Sequence, residues 1–195
     1  MRKLTIADIT DIRAYERERP EFRAHIIDLK KRRRIQLGEL MTIMFENTDT
    51  MRFQIQEMAR VEKLFTDEQI QHEIETYNDL VPEPGELRAT LFIELTSNEL
   101  LREWLPKLPG IQRTLAFRLA DGSVVSGVEP DEERLTREDE ITTTVHYLTF
   151  TFAPEQVAAF DAPGTALLVD HREYHAEVVL PDAVRAELAG DLHTL

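Results

Sequence analysis

The sequence contains no cysteine. This absence excludes disulfide bonds, thiolate-held zinc or iron–sulfur clusters and a thiol nucleophile within the chain. A redox role would therefore need a cofactor that belongs to a partner. The sequence also has no glycine-rich phosphate loop, no G-x-S-x-G segment and no H-E-x-x-H segment. We therefore predict no catalytic residue and favour a non-enzyme, with acid–base chemistry by carboxylates as the catalytic alternative.

Long apolar runs are absent as well. No segment approaches the roughly 20 apolar residues of a membrane span, and charged residues begin at Arg2 and Lys3. These features predict a cytoplasmic protein with no signal peptide and no membrane association. Basic residues are few: 23 Lys and Arg against 37 Asp and Glu give a net charge of −14. Because this charge repels polyanions, we expect no nucleic-acid partner.

The first region, residues 1–81, has mainly helical periodicity. One helix is predicted to begin at Pro20, because proline suits the first helical turn. Another covers about residues 50–65, with Asp49 as its N-cap. Between them, the short apolar segment 35–46 predicts a β-hairpin.

The second region, residues 87–195, contains two similar runs of landmarks. Each run has an alternating apolar strand, a helix start, a Pro-Gly pair, a hairpin and a Pro-Asp pair, in the same order. This order predicts a duplicated β-α-β-β unit over residues 87–128 and 141–180, followed by a C-terminal helix. The acidic stretch 131–140 would join the two halves as a helix or a linker.

These patterns together predict the α+β fold class. An N-terminal helical region with a short β-hairpin precedes a mixed or antiparallel sheet, and the two regions pack as one globule. The duplicated units would form a single sheet of about six strands with two helices on one face.

A basic run, Lys30 to Arg34, is the largest block of positive charge in this acidic chain. It could bind a phosphate, a nucleotide or the acidic surface of a partner. A helix end explains the same run, because cations interact favourably with the negative end of the helix dipole. Arg32, Arg33 and Arg34 are the candidate binding residues of this run.

The predicted helix at 50–65 carries polar residues on its apolar side. Gln54 and Glu62 fall within the stripe formed by Met51, Ile55, Met58, Val61 and Phe65. A carboxylate buried without a partner costs several kcal/mol, so Glu62 would reach the edge of the core, pair with a cation of the basic run or belong to a site. Glu46 and Asn47 directly precede the helix and would join Gln54 in one polar pocket, although Asn47 also suits a turn. We predict Glu46, Asn47, Gln54 and Glu62 as binding residues.

The histidines do not form a pattern that predicts a metal. His171 and His175 have a spacing that binds a metal on a helix, but on an extended strand they are roughly 13 Å apart. His146 shares a strand face with Leu148 and Phe150, which is typical of a buried histidine. We therefore predict no metal site and no cofactor.

A set of short motifs resembles a known bacterial family. The motifs are Gly38, Phe45-Glu46-Asn47, Thr50-Met51, Gln54-Ile55-Gln56-Glu57-Met58, Asp170-His171 and Tyr174. The family is of about this length and is described only as a domain of unknown function. Its genes often lie beside those for rubrerythrin and an iron–sulfur oxidoreductase, so the resemblance implies a role near peroxide or iron handling. Gene neighbourhood gives no mechanism, and the family supplies no catalytic residues to transfer.

Two functional hypotheses follow from these features. The leading one is a non-catalytic accessory protein that binds a protein partner in a redox, iron or peroxide-stress system; the resemblance implies rubrerythrin or an iron–sulfur oxidoreductase. The alternative is an enzyme or a metal-dependent small-molecule-binding protein. Its site would lie at the junction of the two β-α-β-β halves or beside the 50–65 helix.

Overall fold

The computed structural model describes residues 1–129 and 141–193, so the predicted linker at 131–140 lies outside the described residues. The helices in these ranges are α1 (Ile12–Arg33), α2 (Thr48–Glu62), α3 (Asp67–Asn78), α4 (Asn98–Trp104), α5 (Pro154–Phe160) and α6 (Asp182–Leu192). The strands are β1 (Arg34–Leu37), β2 (Met41–Glu46), β3 (Glu86–Ile93), β4 (Leu115–Arg118), β5 (Val124–Ser126), β6 (Val145–Thr151), β7 (Ala166–His171) and β8 (Tyr174–Val179). The predicted α+β class is confirmed.

Helix α1 begins well before the predicted start at Pro20. The side chain of Asp11 caps it by accepting a hydrogen bond from the backbone of the first turn at 3.0 Å, and Pro20 lies inside the helix. A proline there removes one backbone hydrogen bond. Packing of Tyr15, Ile26 and Leu29, which are buried, offsets this loss.

The hairpin of β1 and β2 forms where the sequence predicts one. All six residues of β2 are buried, which explains why the segment shows no polar alternation. Gly38 turns the hairpin with a φ of +71°, and a Cβ at this position would lie 2.1 Å from the Tyr174 hydroxyl. That hydroxyl donates to the Leu37 carbonyl at 2.8 Å and accepts from the Leu40 amide at 3.1 Å. The turn is therefore attached to β8.

The strands form two sheets, so the prediction of one sheet was wrong. The first has the order β1-β2-β3-β6, the second has the order β5-β4-β7-β8, and every pairing is antiparallel. Aromatic packing joins them: the ring of Phe117 on β4 lies 5.6 Å from that of Phe45 on β2 and 5.0 Å from that of Phe150 on β6, between centroids. Hairpins β4–β5 and β7–β8 thus cover one apolar face of the first sheet instead of extending it.

The element order repeats as β3-α4-β4-β5 and then β6-α5-β7-β8. In the first sheet β3 pairs with β6, and in the second β4 pairs with β7. That the two units superpose as copies of one duplicated unit stays a prediction. Among the described helices, none is long and apolar enough to cross a membrane.

Candidate functional site

A cleft of about 330 Å³ lies between the outer face of the first sheet and helices α1 to α3. We call it the α2 cleft. Its floor comes from Met44 on β2, Thr90 on β3 and Tyr147 on β6, which are partners across neighbouring strands. The remaining lining residues are Lys30, Arg34, Glu46, Thr50, Met51, Gln54, Tyr77, Leu80, Phe92 and Val145. Its volume lies at the lower end of the range for small-molecule sites, about 300 to 1,000 Å³.

Glu46 is the buried acid of this cleft, with 7% of its surface exposed. Its carboxylate accepts hydrogen bonds from the hydroxyls of Thr50 at 2.7 Å and Thr90 at 2.9 Å. Burial raises the pKa of Glu46 above its ordinary value; the two hydroxyls and the charges of Lys30 and Arg33 act in the opposite direction but do not cancel it. Nowhere in the described part of the chain does a cation lie within ion-pair distance of this carboxylate.

Several other cleft residues carry hydrogen-bonding groups that the protein itself does not use. Within residues 1–129 and 141–193, no hydrogen-bond partner is found for the Gln54 amide or for the hydroxyls of Tyr77 and Tyr147, and no carboxylate pairs with Lys30. The pKa of Tyr147 is raised, first by burial and then by the neighbouring Tyr77 and Glu46. Tyr147 therefore keeps its proton and can donate it in a hydrogen bond.

Of the predicted binding residues, Glu46 and Gln54 meet in the cleft, and Arg34 joins them at its edge. Arg34 pairs with Glu94 and lies 5.7 Å from the ring centroid of Phe92. Asn47 has a local role instead, because its side chain accepts from the Thr50 amide at 2.9 Å and caps α2. The predicted cap, Asp49, lies inside the first turn of the helix.

The basic run does not form a single anion-binding surface. Arg33 is fully buried and donates to the carbonyls of Phe45 at 2.9 Å and Glu46 at 3.2 Å. It also pairs with Glu187 at 3.0 Å and with Asp191, both on α6. Arg32 pairs with Glu187 at 3.1 Å and with Asp28 at 2.9 Å. The interpretation of these two arginines as a free anion site is corrected: their donors attach α1 to α6 and β2.

Glu62 is exposed, so the prediction that it points into the core was wrong. Burial along α2 stops at Ala59, and Glu62 is the last helical residue, followed by Lys63 in the left-handed region at φ 56°. The buried polar residues of this helix are Thr50 in its first turn and Gln56 further along. The Gln56 amide exchanges two hydrogen bonds with the backbone of Thr10, at 2.7 and 3.0 Å. Gln56 directly follows Ile55 of the predicted stripe, so its side chain points about 100° away from that of Ile55 around the helix axis.

Sequence reasoning missed Thr90, Tyr77 and Tyr147. These residues reach the cleft only because their strands pair with β2 or their helix packs near α2. In addition, a single threonine or tyrosine forms no recognisable sequence motif. Alternation along β6 was the one available signal, since Tyr147 lies on the opposite face from the buried His146 and Leu148.

His146, His171 and His175 each contact a different polar group. His146 is buried and lies 3.0 Å from the Glu129 carboxylate, while His175 pairs with Asp170 and His171 with the carbonyl of Pro109. No group of three or more metal-ligating side chains occurs in the described ranges. The cavity beside His146, between the two β-α-β-β halves, holds about 20 Å³ and is lined by Gln112. As formed by the described residues, this cavity has room for about one water molecule.

The sequence matches the family model described as "Protein of unknown function (DUF3501)" over residues 3–192. The chain belongs to this family. A crystal structure from Burkholderia pseudomallei K96243, titled as a novel protein of unknown function, has a similar fold with a TM-score of 0.88. The two chains are 34% identical, and the match covers 98% of this chain and 100% of the other. No curated protein matches the sequence.

Proposed function

We propose that this DUF3501 protein is a non-catalytic binding protein whose small-molecule ligand occupies the α2 cleft. One observation carries the proposal: Glu46 is a buried carboxylate that opens onto the cleft and has only hydroxyl partners. Burial of an acid without a cation lowers stability, and such exceptions to ordinary packing concentrate at functional sites. This location agrees with the small-molecule alternative beside the predicted 50–65 helix.

The test is to block the cleft and measure binding of a mixture of small neutral, anionic and cationic fragments. Gln54→Trp fills the cleft from α2, and Val145→Trp fills it from β6. Glu62→Trp adds the same ring on the exposed end of α2 and is the matched control. We expect ligand-observed NMR signals of bound fragments in the wild type and in Glu62→Trp, and their loss in both cleft variants.

Fragments that bind equally to all four proteins would contradict the proposal, because their site would lie elsewhere. Conversion of a bound fragment by the wild type, but not by Glu46→Gln, would show catalysis in place of binding. Circular dichroism of each variant shows whether the helices have formed.

A second candidate function is docking of a protein partner on an apolar groove beside α2. Val61 and Phe65 are 65% and 76% exposed, and a groove of about 160 Å³ adjoins Phe65. Isoleucines and two carboxylates, Asp11 and Asp67, line the groove. Its chemistry fits a partner segment with apolar and basic side chains. The resemblance supplies the context of redox, iron or peroxide handling and the two partner classes, rubrerythrin and an iron–sulfur oxidoreductase.

A binding assay with purified rubrerythrin and purified iron–sulfur oxidoreductase, both from the organism that makes this protein, tests the second candidate. We expect one of them to bind the wild type and to bind Phe65→Ser at least about tenfold more weakly, as for a central aromatic contact. Val124→Ser removes another exposed apolar side chain, on β5, and should leave binding unchanged. Equal binding to both variants would exclude this groove.

A further inference from the structure

Four hydrogen-bonding groups around the α2 cleft can donate a hydrogen bond to a ligand. The Lys30 ammonium, the Tyr77 and Tyr147 hydroxyls and the Gln54 amide surround the cleft without a hydrogen-bond acceptor or carboxylate of their own in the described ranges. The Lys30 ammonium also lies 6.0 Å from the ring centroid of Phe53 on α2. The Lys30 ammonium can only donate, so a ligand that contacts it must supply acceptor atoms, and the two hydroxyls and the amide can donate to the same ligand.

We infer that the ligand of the α2 cleft is a small amphiphilic anion, with an acidic group held by Lys30 and neighbouring donors and an apolar body held by the sheet floor. This inference rests on the proposed function, since it names the ligand of the same cleft. Lys30 and the cleft donors would select the anion. Arg32 and Arg33 would not, because they already pair with carboxylates on α6.

The charges at the cleft favour an anion over a cation. Lys30 and Arg34 are the basic lining residues, and the Arg34 charge is balanced by Glu94. Glu46 is the acidic lining residue, and burial raises its pKa, so it loses its proton less readily than an exposed glutamate. The Lys30 ammonium, which has no carboxylate partner among the described residues, is the charge that a bound anion would balance.

The apolar lining residues indicate that the ligand has an apolar part. Met44, Met51, Leu80, Phe92 and Val145 lie beside the donors. Methionine side chains are flexible and adapt to ligands of varied shape. An anion without an apolar body, such as inorganic phosphate, would leave this surface exposed and bind weakly.

Three matched probes separate the ligand classes: hexanoate, hexan-1-ol and hexylamine share an apolar chain and differ in charge. Calorimetric titration of the wild-type protein at neutral pH should give hexanoate an affinity at least about tenfold higher than the other two, as expected for charge-assisted hydrogen bonds. Lys30→Met should remove this preference, while Lys31→Met should keep it. Lys31 is the matched control because it is exposed and pairs with Asp28 at 3.4 Å, outside the cleft.

Glu46→Gln provides the second measurement, since glutamine cannot carry a negative charge and has an N–H donor at this position. We expect this variant to bind hexanoate at least as tightly as the wild type, because no carboxylate then repels the anion. A loss of hexylamine binding in Glu46→Gln, together with a wild-type preference for hexylamine, would overturn the inference and identify a cation site.

The two proposals fail in different ways. If hexan-1-ol or hexylamine binds as well as hexanoate and Gln54→Trp blocks the binding, the cleft is a ligand site and the anion inference is wrong. If none of the three probes binds the wild type and Gln54→Trp loses none of the fragments above, both proposals are wrong. If hexanoate binds equally to the wild type and Lys30→Met, the anion is not held by Lys30 and the inference is overturned.

Discussion

Arg33 and Glu46 are both buried charged residues near the end of β2, and the two sites differ in how their charges are satisfied. The Arg33 guanidinium donates to two backbone carbonyls and to two carboxylates on α6. The Glu46 carboxylate has two hydroxyl partners and an open cleft in front of it. A buried charge with a complete set of partners connects elements of the fold, whereas one with neutral partners and an open side is available to a ligand.

The largest expected effect is loss of the Arg33 contacts. Arg33→Met keeps most of the side-chain volume but removes the Arg33 donors to Asp191, Glu187 and two backbone carbonyls, and Glu187 keeps only Arg32. Removing one partner of a buried ion pair costs about 3 to 5 kcal/mol, and chemical denaturation should show a loss of this size in the free energy of unfolding.

Arg32→Met is the control for this experiment. Arg32 shares Glu187 with Arg33 but is partly exposed, so its replacement should cost about 1 kcal/mol or less. Equal losses in the two variants would mean that burial does not distinguish the arginines, and the comparison between Arg33 and Glu46 would lose its basis.

Gln56 is a buried neutral side chain that is hydrogen-bonded at both ends of its amide. Its replacement should give the next largest loss in the free energy of unfolding. Gln56→Leu would leave the Thr10 amide and carbonyl without their partners on α2. An unsatisfied buried backbone group costs about 1 to 3 kcal/mol. Denaturation of Gln56→Leu and Gln54→Leu should show this loss only for Gln56, because Gln54 makes no hydrogen bond among the described residues.

Glu46→Gln tests the other half of the comparison. Because the pKa of Glu46 is raised, the folded protein holds this proton more tightly than the unfolded chain does. Stability therefore falls as pH rises from the ordinary glutamate range through the raised pKa. The variant cannot lose that proton, so it should match the wild type below about pH 4 and exceed it in melting temperature at neutral pH.

A stability difference that stays constant with pH would contradict the proposed burial of an acid at this site. Glu57→Gln is a useful contrast, because the pKa of Glu57 is lowered, chiefly by the Arg19 hydrogen bond. Its replacement should lower stability as pH rises above the acidic range.

Local signals in the sequence predicted the α+β class and a helix at about residues 50–65 with Asp49 as its cap, where the structure has α2 with Asn47 as its cap. They could not place the α2 cleft, because Met44, Thr90 and Tyr147 become neighbours only when β2, β3 and β6 pair. Strand pairing between distant segments depends on contacts that no local pattern contains. The single predicted sheet failed for the same reason: alternation along each hairpin indicates which residues are buried but not which sheet receives them.

The predicted apolar stripe of α2 was correct for the first part of the helix and wrong for its end. The spacing of Met51 and Ile55 correctly predicted a buried side, but extending it to Val61 and Phe65 assumed that the helix stays covered to its end. Burial ends at Ala59 instead, and Phe65 lies beyond the helix. The basic run was ambiguous on its own, because Glu187 and Asp191, which pair with Arg32 and Arg33, lie on α6, more than half of the chain away.

The smallest expected effect is at Glu62. This acid completes the comparison, because it is exposed and has no ion-pair partner within residues 1–129 and 141–193. Glu62 is exposed on the last residue of α2. Glu62→Met should change the free energy of unfolding by less than about 0.5 kcal/mol, as for most surface substitutions. It should also leave fragment and hexanoate binding unchanged, because Glu62 does not line the cleft. A loss of binding at unchanged stability would restore Glu62 as a site residue and show that the ligand extends beyond the α2 cleft. Denaturation and titration of the same preparation distinguish these two results.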